Sequence, residues 1–315
     1  MASPTSSFLS FLLLLLPLHA AAFHSVAYPV SNRRSLILVK QEPLVLPYHH
    51  GPLLKGNLTV HLLFYGRFSP SQIASISDFF LSLSSSPASL SVASWWATTA
   101  SYRGGAAHVS LAPTTIDTSY SLGRRITPNS LRRLARRVGP RRNSSTIAVV
   151  LTADDVTIDG FCMSRCGFHA AARDGGRGGL RFPYIWVGNA AAQCPGQCAW
   201  PFALPAYGPP AARPLVAPSG DVGVDGMVIN LATLMAGVVT NPYGDGYFQG
   251  PAAAPLEAVT ACTGIFGSGA YPGYPGKLLV DRASGASYNA QGLNGRRYLL
   301  PAMWDPKTSI CATLV

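Results

Sequence analysis

Charged residues are scarce in this chain of 315 residues, and acidic residues are the scarcest. Charged side chains make up 12% of the sequence, with 13 Asp and Glu against 24 Lys and Arg. Apolar residues reach 48% and are accompanied by 31 Gly and 26 Pro. This composition excludes a disordered polyelectrolyte and predicts a compact, loop-rich domain with few charges on its surface.

We identify no membrane span in the sequence. The most apolar run, FLSFLLLLLPL over residues 8–18, is too short for a bilayer and is followed by small residues at Ala20 and Ala22. This pattern predicts a signal peptide over 1–22, with a signal anchor as the alternative. We expect a single secreted domain over 23–315, with no membrane span in the mature protein.

The cysteines are few but even in number, which indicates disulfides in a secreted chain. Two C-x3-C units occur in FCMSRCGFH and QCPGQC, and a bond between residues four apart in a helix is badly oriented. We therefore expect bonds between the two units, and a third bond between Cys262 and Cys311. The alternative is a zinc site formed by the two units and His169; its cysteines are Cys162, Cys166, Cys194 and Cys198.

Strand and helix patterns alternate along the chain. NLTVHLLFYG has apolar residues at every second position, and Ser69-Pro70 begins a helix with Ile73, Ile76 and Phe80 on one face. STIAVVLTADD and FPYIWVGN indicate buried strands, SVASWWATTASY a short helix, and the run from Gly226 a buried helix. Apart from the strand FPYIWVGN, we expect residues 175–219 to form a long loop that is cross-linked by disulfides. We predict an α/β or α+β domain with a central mixed sheet flanked by helices.

The sequence has two N-glycosylation sequons, which can be glycosylated only if the chain is secreted. Asn57 opens a strand pattern and requires an exposed strand start, whereas Asn143 lies between an arginine cluster and a strand. We predict both as candidate glycosylation sites.

The basic excess is concentrated in RRITPNSLRRLARRVGPRR. Thr127 and Pro128 begin a helix whose apolar positions face inward. The outward face then carries four guanidinium groups suited to carboxylates, which predicts contact with a polyanion such as an acidic extracellular polysaccharide, or else a solvated helix face. These residues are Arg132, Arg133, Arg136 and Arg137. Nucleic acid is disfavoured because the chain is predicted to be secreted and no aromatic residues are interleaved with the arginines.

Several long blocks, in fixed order, resemble one plant family. They include LTVHLLFYGRFSPSQIASISDFFLSL, DGFCMSRCGFH, FPYIWVGN and TNPYGDGYFQGPAAAPLEAVTACTGIFGSGAYPGYPG. Together they resemble the EXORDIUM-like, phosphate-induced conserved-region family over nearly all the mature chain. The resemblance implies a secreted apoplastic or cell-wall protein that promotes cell expansion, responding to brassinosteroid and to nutrient or carbon status. It implies no defined reaction and no catalytic residues.

One segment has a more distant likeness to zinc metallopeptidases. TLMAGVVTNP is similar in outline to the HELAEAVTDP type of segment, but Thr233 and Leu234 stand where the metal-binding His and the general-base Glu would be. No histidine follows His169 in the chain. We therefore expect at most a degenerate zincin-like scaffold, with no catalytic residues, metal or cofactor.

A glycosidase would need two carboxylates at a defined separation. The candidates are Asp154 and Asp155 at a strand end, Asp225, and Glu257 in an apolar setting. We interpret the chain as a non-catalytic protein that binds an acidic cell-wall polysaccharide or an extracellular receptor. Its aromatic contacts would come from Tyr243, Tyr247, Tyr271 and Tyr274. The alternative is a secreted hydrolase, a glycosidase or a metallopeptidase-like enzyme, with an unrecognised active site.

Overall fold

The computed structural model describes residues 43–139, 145–163, 165–174, 179–205 and 213–315. Residues 43–315 cluster as one compact unit. The predicted signal peptide over 1–22 and the sequon at Asn143 lie outside the described residues, and so do Arg141 and Arg142 of the basic cluster.

Strands occur along the whole described chain, and helices lie between them. The strands are β1 (Gly56–Tyr65), β2 (Ala106–Leu111), β3 (Thr115–Asp117), β4 (Arg125–Ile126), β5 (Thr146–Thr152), β6 (Thr157–Ile158), β7 (Gly167–Arg173), β8 (Arg181–Gly188), β9 (Leu279–Val280), β10 (Ser287–Tyr288), β11 (Ala290–Gln291), β12 (Arg297–Tyr298), β13 (Met303–Asp305) and β14 (Ile310–Ala312). The helices are α1 (Pro70–Ser82), α2 (Val92–Ala97), α3 (Pro128–Val138), α4 (Pro195–Cys198) and α5 (Val222–Thr240). Short 3-10 turns cover Thr98–Ser101, Thr260–Cys262 and Leu293–Gly295.

The main sheet has the strand order β2-β1-β5-β8-β7, with β3 also paired to β1. Every pairing in it is parallel except that of β7, which runs antiparallel to β8 at one edge. This is the predicted central mixed sheet of an α/β domain. The shorter strands β9 to β14 form two-stranded antiparallel pairs in the C-terminal part of the described chain.

Helices cover both faces of the main sheet. In β1 the alternating side chains of Leu58, Val60, Leu62 and Phe64 share a core with α1, α2 and α5. The opposite face, with Leu63 and Tyr65, packs against α3. The central strand β5 is buried at all seven positions because both of its faces are covered.

Side-chain caps explain where α1 and α5 begin, and of these two caps the sequence predicts the one at Ser69. Ser69 caps α1, and its side chain and that of Gln72 bond reciprocally to backbone N–H groups. Asp221 caps α5 by accepting a hydrogen bond from the backbone N–H of Val224. Helix α5 contains the predicted buried helix but begins at Val222, earlier than Gly226.

Helix α5 is long and apolar enough to span a membrane, judged by length and hydropathy alone. It has 19 residues with a hydropathy of 1.8, and 72% of its most apolar window is buried inside the protein. Its apolar side chains are therefore used within this fold.

Three disulfides cross-link the loops. Cys162 bonds to Cys194 and Cys166 to Cys198, so each C-x3-C unit is tied to the other. The third disulfide joins Cys262 to Cys311. The first two disulfides fasten the start of β7 to α4.

Candidate functional site

Helix α3 carries the basic cluster, and its local sequence explains its orientation. Thr127 accepts a hydrogen bond from the backbone N–H of Ser130, and Pro128 occupies the first turn. One face is buried through Leu131, Leu134, Ala135 and Val138. Because residues four apart lie on one ridge of a helix, the exposed face divides into two arginine pairs. These pairs are Arg132 with Arg136 and Arg133 with Arg137.

Arg137 forms an ion pair with a buried carboxylate. Its Nη1 lies 2.8 Å from Oδ2 of Asp117, a carboxylate at the end of β3 whose side chain is only 1% exposed. Burial raises the pKa of Asp117, but hydrogen bonds from Ser121, Ser119 and Arg137 outweigh it and lower the pKa below its usual value. Arg137 therefore stabilises the fold through Nη1, while its side chain remains 51% exposed.

Arg132 and Arg136 line a cavity of about 310 Å³ together with two further arginines that the sequence analysis did not single out. These are Arg173, the last residue of β7, and Arg181, the first residue of β8. The remaining wall is formed by Ala171 and Ala172 of β7. We call Arg132, Arg136, Arg173 and Arg181 with this cavity the arginine pocket.

The two helix arginines are held by neutral partners. Arg136 donates from Nε to the backbone carbonyl of Arg173 at 2.8 Å. Arg132 lies against the hydroxyl of Tyr184, a buried residue of β8 whose pKa is raised by burial and partly lowered again by this guanidinium. One contact holds each guanidinium and leaves other N–H donors available.

The two strand arginines are held in the same way. Arg173 donates from Nη1 to the carbonyl of Gly179 at 3.3 Å. The guanidinium carbon of Arg181 lies 4.1 Å from the centre of the Tyr243 ring, a cation–π contact. Side chains fixed by neutral contacts lose less freedom when a ligand binds.

The arginine pocket has an uncompensated positive charge. Arg173 and Arg181 are directly opposite each other in the β7–β8 ladder, and Arg132 and Arg136 are one helical turn apart. Like charges at either spacing destabilise a fold. Among the residues that the structure describes, none of the four forms an ion pair and no acidic residue lines the pocket. Asp174 follows Arg173 in sequence but is not part of the lining.

A second cavity, of about 590 Å³, lies between β7 and the C-terminal end of α5. We call it the β7 cleft. On its floor the Nε2 atom of His169 is 2.9 and 3.0 Å from the two carboxylate oxygens of Glu257. Asn241 donates to the same carboxylate at 2.7 Å. The pair packs directly on Gly237, where an added Cβ would come within 2.8 Å of Glu257.

This pair presents no reactive nitrogen to the cleft. Nε2 of His169 is engaged with Glu257, and Nδ1 is buried without a hydrogen-bond partner among the described residues. A general base must reach the proton that it removes, and the buried Nδ1 does not. Glu257 accepts hydrogen bonds from the side chains of His169 and Asn241.

The structure also places the residues of the zinc hypotheses. All four cysteines of the C-x3-C units are in disulfides, so none is a thiolate available to a metal. Thr233 donates its hydroxyl to a backbone carbonyl of its own helix, and Leu234 lines the cleft. Within the described ranges there is no group of three or more His, Cys, Asp or Glu side chains arranged to hold a metal.

The other carboxylates have separate roles. Asp155 forms an ion pair with Arg124 and accepts a hydrogen bond from Tyr120, while Asp154 is exposed. Asp225 is buried in the first turn of α5 and accepts two hydrogen bonds from Ser219.

Of the four tyrosines expected to supply aromatic contacts, Tyr247 is buried. It is 9% exposed and packs against Tyr48 and Tyr102, because the loop after α5 folds back onto the core. Tyr271 is 65% exposed, and its ring lies 5.0 Å from that of Tyr274.

Asn57 lies at the exposed start of β1. The position therefore has the exposure that its sequon requires.

Comparison with known proteins gives a consistent result. Residues 46–314 match the family described as phosphate-induced protein 1 conserved region. The chain is 53% identical to Protein EXORDIUM-like 2 of Arabidopsis thaliana, over 94% of this chain and 98% of that protein. It is 54% identical to Protein EXORDIUM of the same plant, over 88% and 93%, and 52% identical to Protein PHOSPHATE-INDUCED 1 of Nicotiana tabacum, over 90% and 93%. No solved structure matches the chain significantly.

Proposed function

The chain belongs to the EXORDIUM, phosphate-induced protein 1 family, and from this premise we propose that it is a secreted, growth-related plant protein that binds an acidic cell-wall polysaccharide in the arginine pocket. It acts by binding and without catalysis. The observation that carries the proposal is the pair of like-charge contacts, Arg132 with Arg136 and Arg173 with Arg181, that no described carboxylate neutralises.

Carboxylate is the chemistry that this pocket fits best. Guanidinium groups present planar sets of N–H donors that match a carboxylate in bidentate geometry. A bound anion would also relieve the repulsion that the fold sustains in its absence. Uronate residues of a wall polysaccharide supply such carboxylates repeatedly along one chain.

The cellular setting is part of the proposal. Three disulfides and the N-terminal apolar run support secretion into the cell wall or apoplast. The exposed Asn57 supports N-glycosylation at that position. We place the protein in cell expansion controlled by brassinosteroid and by nutrient or carbon status, as expected for this family, with an extracellular receptor as the other candidate partner.

The binding experiment uses the full secreted protein with its disulfides intact. We expect retention on immobilised polygalacturonate and little retention on highly methyl-esterified pectin, which lacks the charge. Retention should fall when salt is raised from about 0.05 M to about 0.5 M, because the Debye length shrinks several-fold. The double substitution Arg132→Ala/Arg136→Ala should weaken binding by about tenfold or more.

The matched control removes the same charge elsewhere. Arg133→Ala/Arg282→Ala deletes two exposed arginines that do not line the pocket. It should bind like the wild type. If both double variants weaken binding equally, attraction depends on net charge alone and the pocket is not the site. In planta, the pocket variant should also fail to increase cell length where the control variant does.

A further inference from the structure

The arginine pocket lies next to the β7 cleft. Ala171 and Arg181 line both cavities, so the two are neighbours near the end of β7. The ring of Tyr243 lies beneath Arg181 at this junction and also lines the cleft. We call the two neighbouring cavities together the groove; their volumes are about 310 and 590 Å³, and Arg181 lines both.

The groove follows the edge of the main sheet. Within the described residues β7 pairs only with β8, so its other edge is open. The strand has seven residues, which at the usual rise per residue extend over about 20 Å. That length exceeds a single sugar ring and suits an extended chain.

Positive charge is present at both ends of the groove. Arg165 is exposed and lines the cleft at the end where β7 begins, and the arginine pocket lies where β7 ends. The acidic residue in the described lining of the cleft is Glu257, which is buried and already bonded to His169 and Asn241. A ligand with a single negative charge would contact the arginines at only one end of the groove.

We infer that the groove binds a run of several consecutive uronate units, with carboxylates at the arginine pocket and at Arg165 and sugar rings over the cleft between them. The inference rests on the proposed function, since it assumes that the arginine pocket binds uronate. It adds that the ligand is linear, that its charges repeat along it, and that chain length determines affinity.

The test is a titration calorimetry series with oligogalacturonates from the dimer upwards. We expect affinity to rise by at least about tenfold from the dimer to oligomers that fill the groove, and then to level off, because linked contacts reinforce one another. Arg165→Ala should weaken the longer oligomers by up to about fivefold without affecting the dimer.

A second variant obstructs the cleft without touching the core. Ala253 is exposed on the rim of the cleft, and Ala253→Trp should reduce the affinity of the longer oligomers to that of the dimer. Ala253→Ser is its control and should behave like the wild type.

Each outcome has a distinct meaning. A gain with length that Ala253→Trp and Arg165→Ala remove supports the groove. Binding of the dimer that depends on Arg132 and Arg136, with no gain for longer oligomers, overturns the groove and leaves the arginine pocket in place. If no oligomer binds at any length, the proposed function itself fails.

Discussion

Asp225 is predicted to make the protein less stable as pH rises. Its carboxylate is 4% exposed and lies in the first turn of α5. Burial raises its pKa to about 7 from 3.8, and the nearby charge of Asp221 adds to the rise, although two hydrogen bonds from Ser219 and the charge of Arg296 oppose it. The free-energy cost of burying the negative charge of Asp225 exceeds the stabilisation that this charge receives from the N-terminus of α5.

The sign and size follow from proton linkage. Between pH 3.8 and about 7 the folded protein holds a proton that the unfolded chain has released. The stabilisation is therefore complete below pH 3.8 and is lost as pH rises through 7. At 1.36 kcal/mol per pH unit, the loss approaches about 4 kcal/mol in all and is about 2 kcal/mol between pH 5 and 7, where the folded carboxyl is half-deprotonated.

The substitution Asp225→Asn keeps the shape and removes the titration. We would measure the free energy of unfolding in urea at several pH values, with the disulfides intact, and subtract the wild-type value from that of the variant. This difference should grow by about 2 kcal/mol from pH 5 to 7 and level off above about pH 8.

Asp281→Asn is the control. Hydrogen bonds, the largest from Ser284, lower the pKa of Asp281, so its difference from the wild type should not change above pH 5. A difference for Asp225→Asn that is also constant from pH 4 to 8 would refute the reasoning.

Two further predictions concern packing. Arg137→Ala should destabilise the fold by about 1–3 kcal/mol, because the buried Asp117 loses a charged partner; Arg133→Ala on the same helix should stay within about 0.5 kcal/mol of the wild type. Gly237→Ala should cost about 1–3 kcal/mol, since a Cβ would lie 2.8 Å from Glu257 and this clash outweighs the better helix propensity of alanine. Urea unfolding measures both, and a Gly237→Ala protein more stable than the wild type would contradict the second.

The strongly patterned elements were predictable from the sequence. Helix α1 has a capping box at Ser69 and apolar residues at helical spacing, and β5 is a continuous apolar run with both faces buried. In each case one short segment contains all the information needed, because local capping and burial act in the same direction.

Strand β7 was not predicted, and it carries much of the candidate site. Its sequence GFHAAAR has small residues and no alternation of apolar and polar positions. The strand lies at the sheet edge, where it lines a cleft and also packs on the core through Phe168, Ala170 and Ala172. The grouping of arginines was likewise incomplete. Helical spacing brings together Arg132 and Arg136, but only the β7–β8 ladder adds Arg173 and Arg181, which are far from them in sequence.

The open edge of β7 has a consequence for self-association. An unpaired strand edge is a template on which another polypeptide can form a sheet, and charged side chains at the edge discourage that pairing. Here the charged side chain of Arg173 lies at the end of β7, and its backbone carbonyl already accepts a hydrogen bond from Arg136. The same arginines that we assign to ligand binding would therefore also keep copies of the protein apart. Variants that remove them should be checked by light scattering, because they lack the charge that discourages pairing at the end of this unpaired seven-residue edge.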